Sequence, residues 1–268
     1  MIWRVEKDGK KSFVVGTAHF FPYSFRTSLS RYIENAQTVL FEGPLDEDNM
    51  AKVVNAGFAK QNVPHLFEEL DKQTIADIAQ ALAPPGRDRF PFLFLTPGTS
   101  SAENPVYDMI KGMKPWMAFF TIWRRFLEQK GWRYSVDLEA YSIAAEMGKD
   151  IVFLETIEEQ IEVLEGFSSE KIVDFLKRIK SWNAYTQAYV KGYLGGDLAN
   201  LRSITGDFPT RRFTVIEGRD RVLYERMLVY LEKGNAIACV GAPHIPGISG
   251  MLRSGGYQTL RQGTSEED

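Results

Sequence analysis

Two kinds of apolar pattern alternate along the chain. Short, partly β-branched runs at residues 2–5, 12–15, 38–41, 151–154, 237–240 and 257–260 read as strands. The first two flank Asp8-Gly9, a two-residue hairpin signal, so the chain opens on a hairpin. Residues 27–36 then place Leu29, Tyr32, Ile33 and Ala36 on one helical face. The strand at 38–41 follows at once. That order is a β-α-β unit, compatible with a parallel pair and a right-handed crossover.

Between these strands the spacing is helical. Residues 46–82 form two or three helical pieces, broken at Pro64, with Asp71 ahead of the amphipathic set Ile75, Ile78, Ala79 and Leu82. Residues 83–105 are the least regular, with Pro84-Pro85-Gly86 and Pro97-Gly98 around a short strand expected at 90–95. Residues 106–129 give a helix pair broken at Pro115, whose aromatics cover more than one face and so read as core. A helix at 135–147 stops at Gly148, and Thr156 with Glu159 fits a capping box after the strand at 151–154. Ser168 or Ser169 caps a long helix ending near Gly195-Gly196, and a last long helix at 210–233 meets Gly234. A short helix at 248–253, the strand at 257–260 and a polar, acidic tail at 262–268 finish the chain. The expected fold class is α/β (α+β), a mixed β-sheet core wrapped by helices. It forms a single domain over 1–268, with the helical middle region, about 46–147, as a candidate cap.

Composition narrows the function. A net charge of −3 gives nucleic acid no global attraction. The lone cysteine, Cys239, lies inside an apolar strand and excludes a disulfide scaffold. The opening Met1-Ile2-Trp3-Arg4-Val5-Glu6 has no apolar h-region. No apolar run approaches the roughly 18 residues of a membrane span. The expectation is a soluble, cytoplasmic protein without nucleic-acid or membrane partners.

The chemistry concentrates where strands end. Phe13-Val14-Val15-Gly16-Thr17-Ala18-His19 is echoed by Ile237-Ala238-Cys239-Val240-Gly241-Ala242-Pro243-His244: an apolar run, then Gly-x-x-His. The strand at 38–41 stops at Glu42, and that at 151–154 at Glu155. In an open α/β sheet ligands bind at the carboxyl ends of strands. Two histidines and a glutamate from separate strand ends suit a divalent ion such as Zn, Mn, Co or Fe. There is no His-Glu-x-x-His helix, so zincin chemistry is not indicated. The third histidine, His65, sits between Pro64 and Leu66 and reads as structural or exposed.

These residues resemble the TraB/GumN/Tiki family across nearly the whole chain. The match runs from Gly16-Thr17-Ala18-His19 and Phe41-Glu42 through Val136-Asp137, Gly148-Lys149, Leu154-Glu155-Thr156 and Glu159-Gln160. It continues at Arg219-Asp220, Val240-Gly241-Ala242-Pro243-His244-Ile245-Pro246-Gly247, Gly250 and Gly256-Tyr257. The resemblance implies mixed β-structure wrapped by helices, with the two Gly-x-x-His motifs converging. It also implies metal-dependent peptide hydrolysis with manganese or cobalt. Carried over residue by residue, His19, Glu42 and His244 become metal ligands, Glu42 and Arg219 catalytic residues, and Gly16, Glu155 and Gly241 further site positions.

The leading expectation is therefore a metal-dependent peptidase on a peptide or small-molecule substrate, with Mn or Co favoured and Zn possible. Glu42 acts as ligand or general base, and Arg219 steadies an oxyanion or a substrate carboxylate. One alternative is a non-catalytic metal- or haem-binding protein. Another is a regulatory protein using the aromatics from Trp116 to Phe126 as a partner surface. Asp137 reads as a helix N-terminal acid rather than a ligand.

Overall fold

Residues 1–59, 65–83, 104–209 and 213–262 are described by a computed structural model, the side chains at 202, 205 and 213–217 apart. Strands β1 (Ile2–Lys7) and β2 (Lys10–Thr17) form the expected antiparallel hairpin. Asp8 and Gly9 adopt φ of 51° and 74°, the two positive values a type I′ turn requires. With β3 (Thr38–Phe41), β4 (Asp150–Phe153), β5 (Ala236–Gly241) and β6 (Gln258–Gln262) they build one mixed sheet, ordered β4-β3-β5-β2-β1-β6. The four neighbours β4, β3, β5 and β2 are all parallel, while β1 runs antiparallel to β2 and to β6. The β2 and β3 strands thus share a direction without being adjacent, because β5 lies between them. From Ala236 to Val240 every β5 residue is buried, as a strand covered on both faces demands.

In chain order the helices are α1 (Arg26–Ile33), α2 (Glu47–Ala56), α3 (Lys72–Ala81), α4 (Pro105–Ile110), α5 (Pro115–Gln129) and α6 (Val136–Glu146). Then come α7 (Ile157–Glu165), α8 (Ser169–Leu176), α9 (Trp182–Gly195), α10 (Leu198–Ile204), α11 (Phe213–Leu231) and α12 (Ile245–Ser254). Their starts follow capping chemistry. Asp46, Asp71, Asn104, Ser135 and Ser168 each accept a first-turn backbone N–H, and Thr156 and Glu159 make both bonds of the capping box. The long helix expected from Ser168 is instead α8, a 3₁₀ turn (Ile179–Ser181) and α9. No Pro or Gly marks that break. Trp182 is driven into the core, where its indole N–H donates to the Phe175 carbonyl at 3.2 Å. The α9 helix ends at Gly196 in the left-handed conformation. The short α10 has no sequence counterpart in the pattern above. The strand expected at 90–95 and the tail from 263 lie outside the described residues.

Alternation along the strands splits the core into two layers. Val15, Val39, Phe41, Ile237 and Cys239 face a large cluster with α1, α5, α6, α8 and α9. Val14, Leu40, Ala236, Ala238 and Val240 face a smaller one with Leu223, Met227 and Leu231 of α11 and Ile245, Ile248 and Leu252 of α12. Each fully buried Leu, Ile or Phe contributes about 1.5–3 kcal/mol, so both layers hold the sheet. Trp116, Phe119, Trp123 and Phe126 of α5 are buried in the larger cluster. They are core, and the partner surface suggested for them is not there.

Candidate functional site

Because β2, β3, β4 and β5 are parallel neighbours, their carboxyl ends form one edge. His19 lies just beyond β2, Glu42 beyond β3, Glu155 beyond β4, and His244 beyond β5 through a 3₁₀ turn (Ala242–His244). All four sequence-predicted strand-end residues therefore lie along the same rim.

Glu42 is the hub. Its Oε2 accepts the Gly241 N–H at 2.6 Å and its Oε1 accepts from Arg219 Nη2 at 2.8 Å. His244 Nε2 stands 3.5 Å from the same Oε1. Burial works to raise the Glu42 pKa, but His244, Arg219, His19 and the Gly241 N–H together hold it below the ordinary value of 4.5. Arg219, on α11, also donates from Nε to Glu155 Oε1 at 2.9 Å and from Nη2 to Glu155 Oε2 at 2.6 Å. This fork is the bidentate arrangement a guanidinium favours. The surroundings of Arg219 reinforce its charge: burial opposes it, and the two carboxylates outweigh burial.

Each histidine has a carboxylate behind it. His244 is buried, and its Nδ1–H donates to the buried Asp220 Oδ1 at 2.6 Å. That bond assigns the tautomer and turns Nε2 toward Glu42. His19 Nδ1 lies 3.0 Å from Oδ2 of the buried Asp137, in the first turn of α6. The Asp137 charge lifts the His19 imidazole from 6.5 to about 9, against desolvation. The His19 side chain is 75% exposed, so water screens part of that attraction; its direction is set by the contact. A base raised in the folded state adds stability below its unfolded value and loses it as pH climbs through the folded one. The melting temperature is therefore expected to fall between pH 6.5 and about 9. His19→Gln should flatten that fall. A wild-type profile that rises across the interval would refute the pairing.

Backbone packing explains both motif glycines, and neither has positive φ. A Cβ at Gly16 would lie 3.1 Å from Ile245 Cγ1 and 3.3 Å from Ala242 Cα, so the two Gly-x-x-His turns pack directly on each other. A Cβ at Gly241 would stand 3.0 Å from Glu42 Oε2. The Tyr193 hydroxyl donates to the Gly16 carbonyl at 2.6 Å. The His19 loop is pinned to α6 by Val136 N–H on the Ala18 carbonyl at 2.9 Å and Phe25 N–H on Glu139 at 2.8 Å.

With this geometry in view, the TraB/PrgY/gumN family model matches residues 1–259. The chain belongs to that family. No curated protein compared with it matches. The TraB/PrgY/gumN chain has, among its described residues, no helix long and apolar enough to cross a membrane. Among the same residues no three His, Cys, Asp or Glu side chains stand as a ready metal-ligand cluster.

Sequence reading missed Asp137 and Asp220 as partners of the histidines. A signal was present. Asp137 falls on the buried stripe of α6 with Ala140 and Ala144, and Asp220 on that of α11 with Leu223, Met227 and Leu231. An acid on an apolar stripe is buried and needs a partner. His65 accepts the Phe67 N–H at 3.3 Å and packs on Tyr107 at 5.2 Å, away from the site, as a structural residue. Beside the rim a cavity of about 440 Å³ opens between Pro44, Lys52, Glu155, Thr156 and Arg226. It adjoins the Glu155 side and is not lined by either site histidine.

Proposed function

We propose that this TraB/PrgY/gumN member is a hydrolase, and that it cleaves peptides with the help of a divalent ion. The observation that carries the reading is the pair of imidazoles on the same strand-end rim as Glu42, each with Nδ1 against a buried aspartate. Histidines that ligate metals almost always bond through their other nitrogen to a carboxylate or carbonyl. The residue types, two imidazoles and one carboxylate, suit manganese, cobalt or zinc, although among the described residues they are not gathered into a ligand cluster. His19, His244 and Glu42 would hold the ion. When bound, such an ion polarises a scissile carbonyl and lowers the pKa of a bound water.

The chain's own groups divide the remaining work. Glu42 is kept ionised by its neighbours, which suits a ligand or an electrostatic partner better than a strong base. Arg219, committed to Glu42 and Glu155, orders the rim and balances its charge. The open groove beside Glu155 adjoins the rim and would take one flank of a substrate. A second reading is favoured by the His19–Asp137 contact. An exposed imidazole held protonated by its carboxylate is a general acid, and needs no ion for that role.

Calorimetric titration of Mn and Co into wild type, Glu42→Gln and His244→Ala, with turnover of a quenched peptide library, tests both readings. The metallopeptidase reading expects ion binding by wild type, weak binding by both variants, and turnover that falls in both along with the bound ion. Turnover without any dependence on the ion favours the general-acid reading. Wild type that binds neither ion and cleaves no peptide sinks the proposal.

A further inference from the structure

Two glycines of α12 have opposite surroundings. A Cβ at Gly250 would meet nothing within 4 Å, whereas one at Gly247 would drive into the Asp220 carboxylate, 2.8 Å from its Cγ. Asp220 is buried on α11, and its Oδ1 is the atom that accepts the His244 Nδ1–H. Its carboxylate is therefore lodged between the His244 ring and the backbone of the first turn of α12. A glycine in a helix is less stable than alanine, and at Gly247 the missing methyl has a visible occupant.

We infer that Asp220 and Gly247 form one positioning device for His244. Gly247 leaves the opening, Asp220 fills it, and the carboxylate holds the ring by its Nδ1–H with the Nε2 edge toward Glu42. Neither residue touches substrate in this scheme; both act through the ring. The effect on turnover rests on the hydrolase reading above, but the state of the ring does not.

The test is therefore spectroscopic first. Two-bond ¹H–¹⁵N correlation spectra of ¹⁵N-histidine protein at a single pH report which nitrogen carries the proton, with His244 assigned by its loss in His244→Gln. Wild type is expected to show the Nδ1–H tautomer. Asp220→Asn and Gly247→Ala should both shift His244 away from it, while Gly250→Ala keeps the wild-type spectrum. Ion affinity or turnover should fall about 10–100-fold in the first two variants, the usual effect of losing a carboxylate behind a ligating histidine, and stay unchanged in Gly250→Ala. If Gly247→Ala fails to fold, the double variant Asp220→Ala/Gly247→Ala should fold, because the clashing carboxylate is gone. An Nε2–H tautomer in wild type would overturn the inference. So would a His244 signal in Gly247→Ala that matches Gly250→Ala. An intact Nδ1–H tautomer in a protein without turnover sinks the hydrolase reading alone.

Discussion

Replacing Arg219 with methionine is expected to cost about 3–5 kcal/mol of stability at neutral pH. The guanidinium bridges Glu42 and the buried Glu155 with three hydrogen bonds of 2.6–2.9 Å. Methionine keeps much of the length and removes every donor, which leaves two carboxylates facing each other with no cation between them. Removing one partner of a buried ion pair is far more damaging than never having built it. The pH dependence follows from Glu42, whose pKa is depressed in the folded protein. Such a group contributes stability above its unfolded value, near 4.5, and loses it as pH falls through the folded value. Urea unfolding at pH 7 and at pH 4 should therefore show a wide gap between wild type and Arg219→Met that narrows in acid. A gap of equal size at both pH values would place the role of Arg219 in packing.

Val240→Asp is expected to abolish soluble expression. Val240 is fully buried on β5, between β2 and β3, against Ile245, Leu252 and Leu223 of the smaller cluster. A carboxylate there has no partner, and its burial competes with the whole stability of a domain, about 5–15 kcal/mol. His19→Ala is the informative comparison. The ring is exposed, so the fold should survive, with a lower melting temperature because Asp137 loses its cation. Soluble, cooperatively unfolding Val240→Asp protein would mean that the central strand is not where the sheet places it.

Strand existence was legible at β2, β3 and β5 because each is a short, largely apolar run closed by Gly or Glu, and residues 38–41 form β3 without adjustment; the polar, mostly exposed β6 runs over Gln258–Gln262 rather than 257–260. Caps were legible for the same local reason, at Asp71, Ser135, Thr156 and Ser168. Local pattern could not show that β5 separates β2 from β3, since that order is set by pairings between residues far apart in the chain. Nor could it show the break at Ile179–Ser181, which answers to the burial of Trp182. The strand-end histidines and glutamates were readable one by one. Their partners were not, because Asp137 and Asp220 lie far from them in sequence and reveal themselves only as acids on buried helix stripes.

The central place of β5 bears on how this protein is made. Ser12 on β2 and Ala236 on β5 are joined by a hydrogen bond across 224 positions of chain. While the ribosome is still short of residue 236, the β1–β2 hairpin and the β3–β4 pair have no strand to join them. Each presents an open edge, the kind of surface that recruits other chains. His19 then belongs to one half, Glu42 and Glu155 to the other, and Arg219 alone spans the carboxylates. Insertion of β5 closes both edges in one step and delivers Gly241 and His244 to the rim at the same moment. A polypeptide released before that point keeps the β2 and β3 edges unpaired and lacks Gly241 and His244 at the rim.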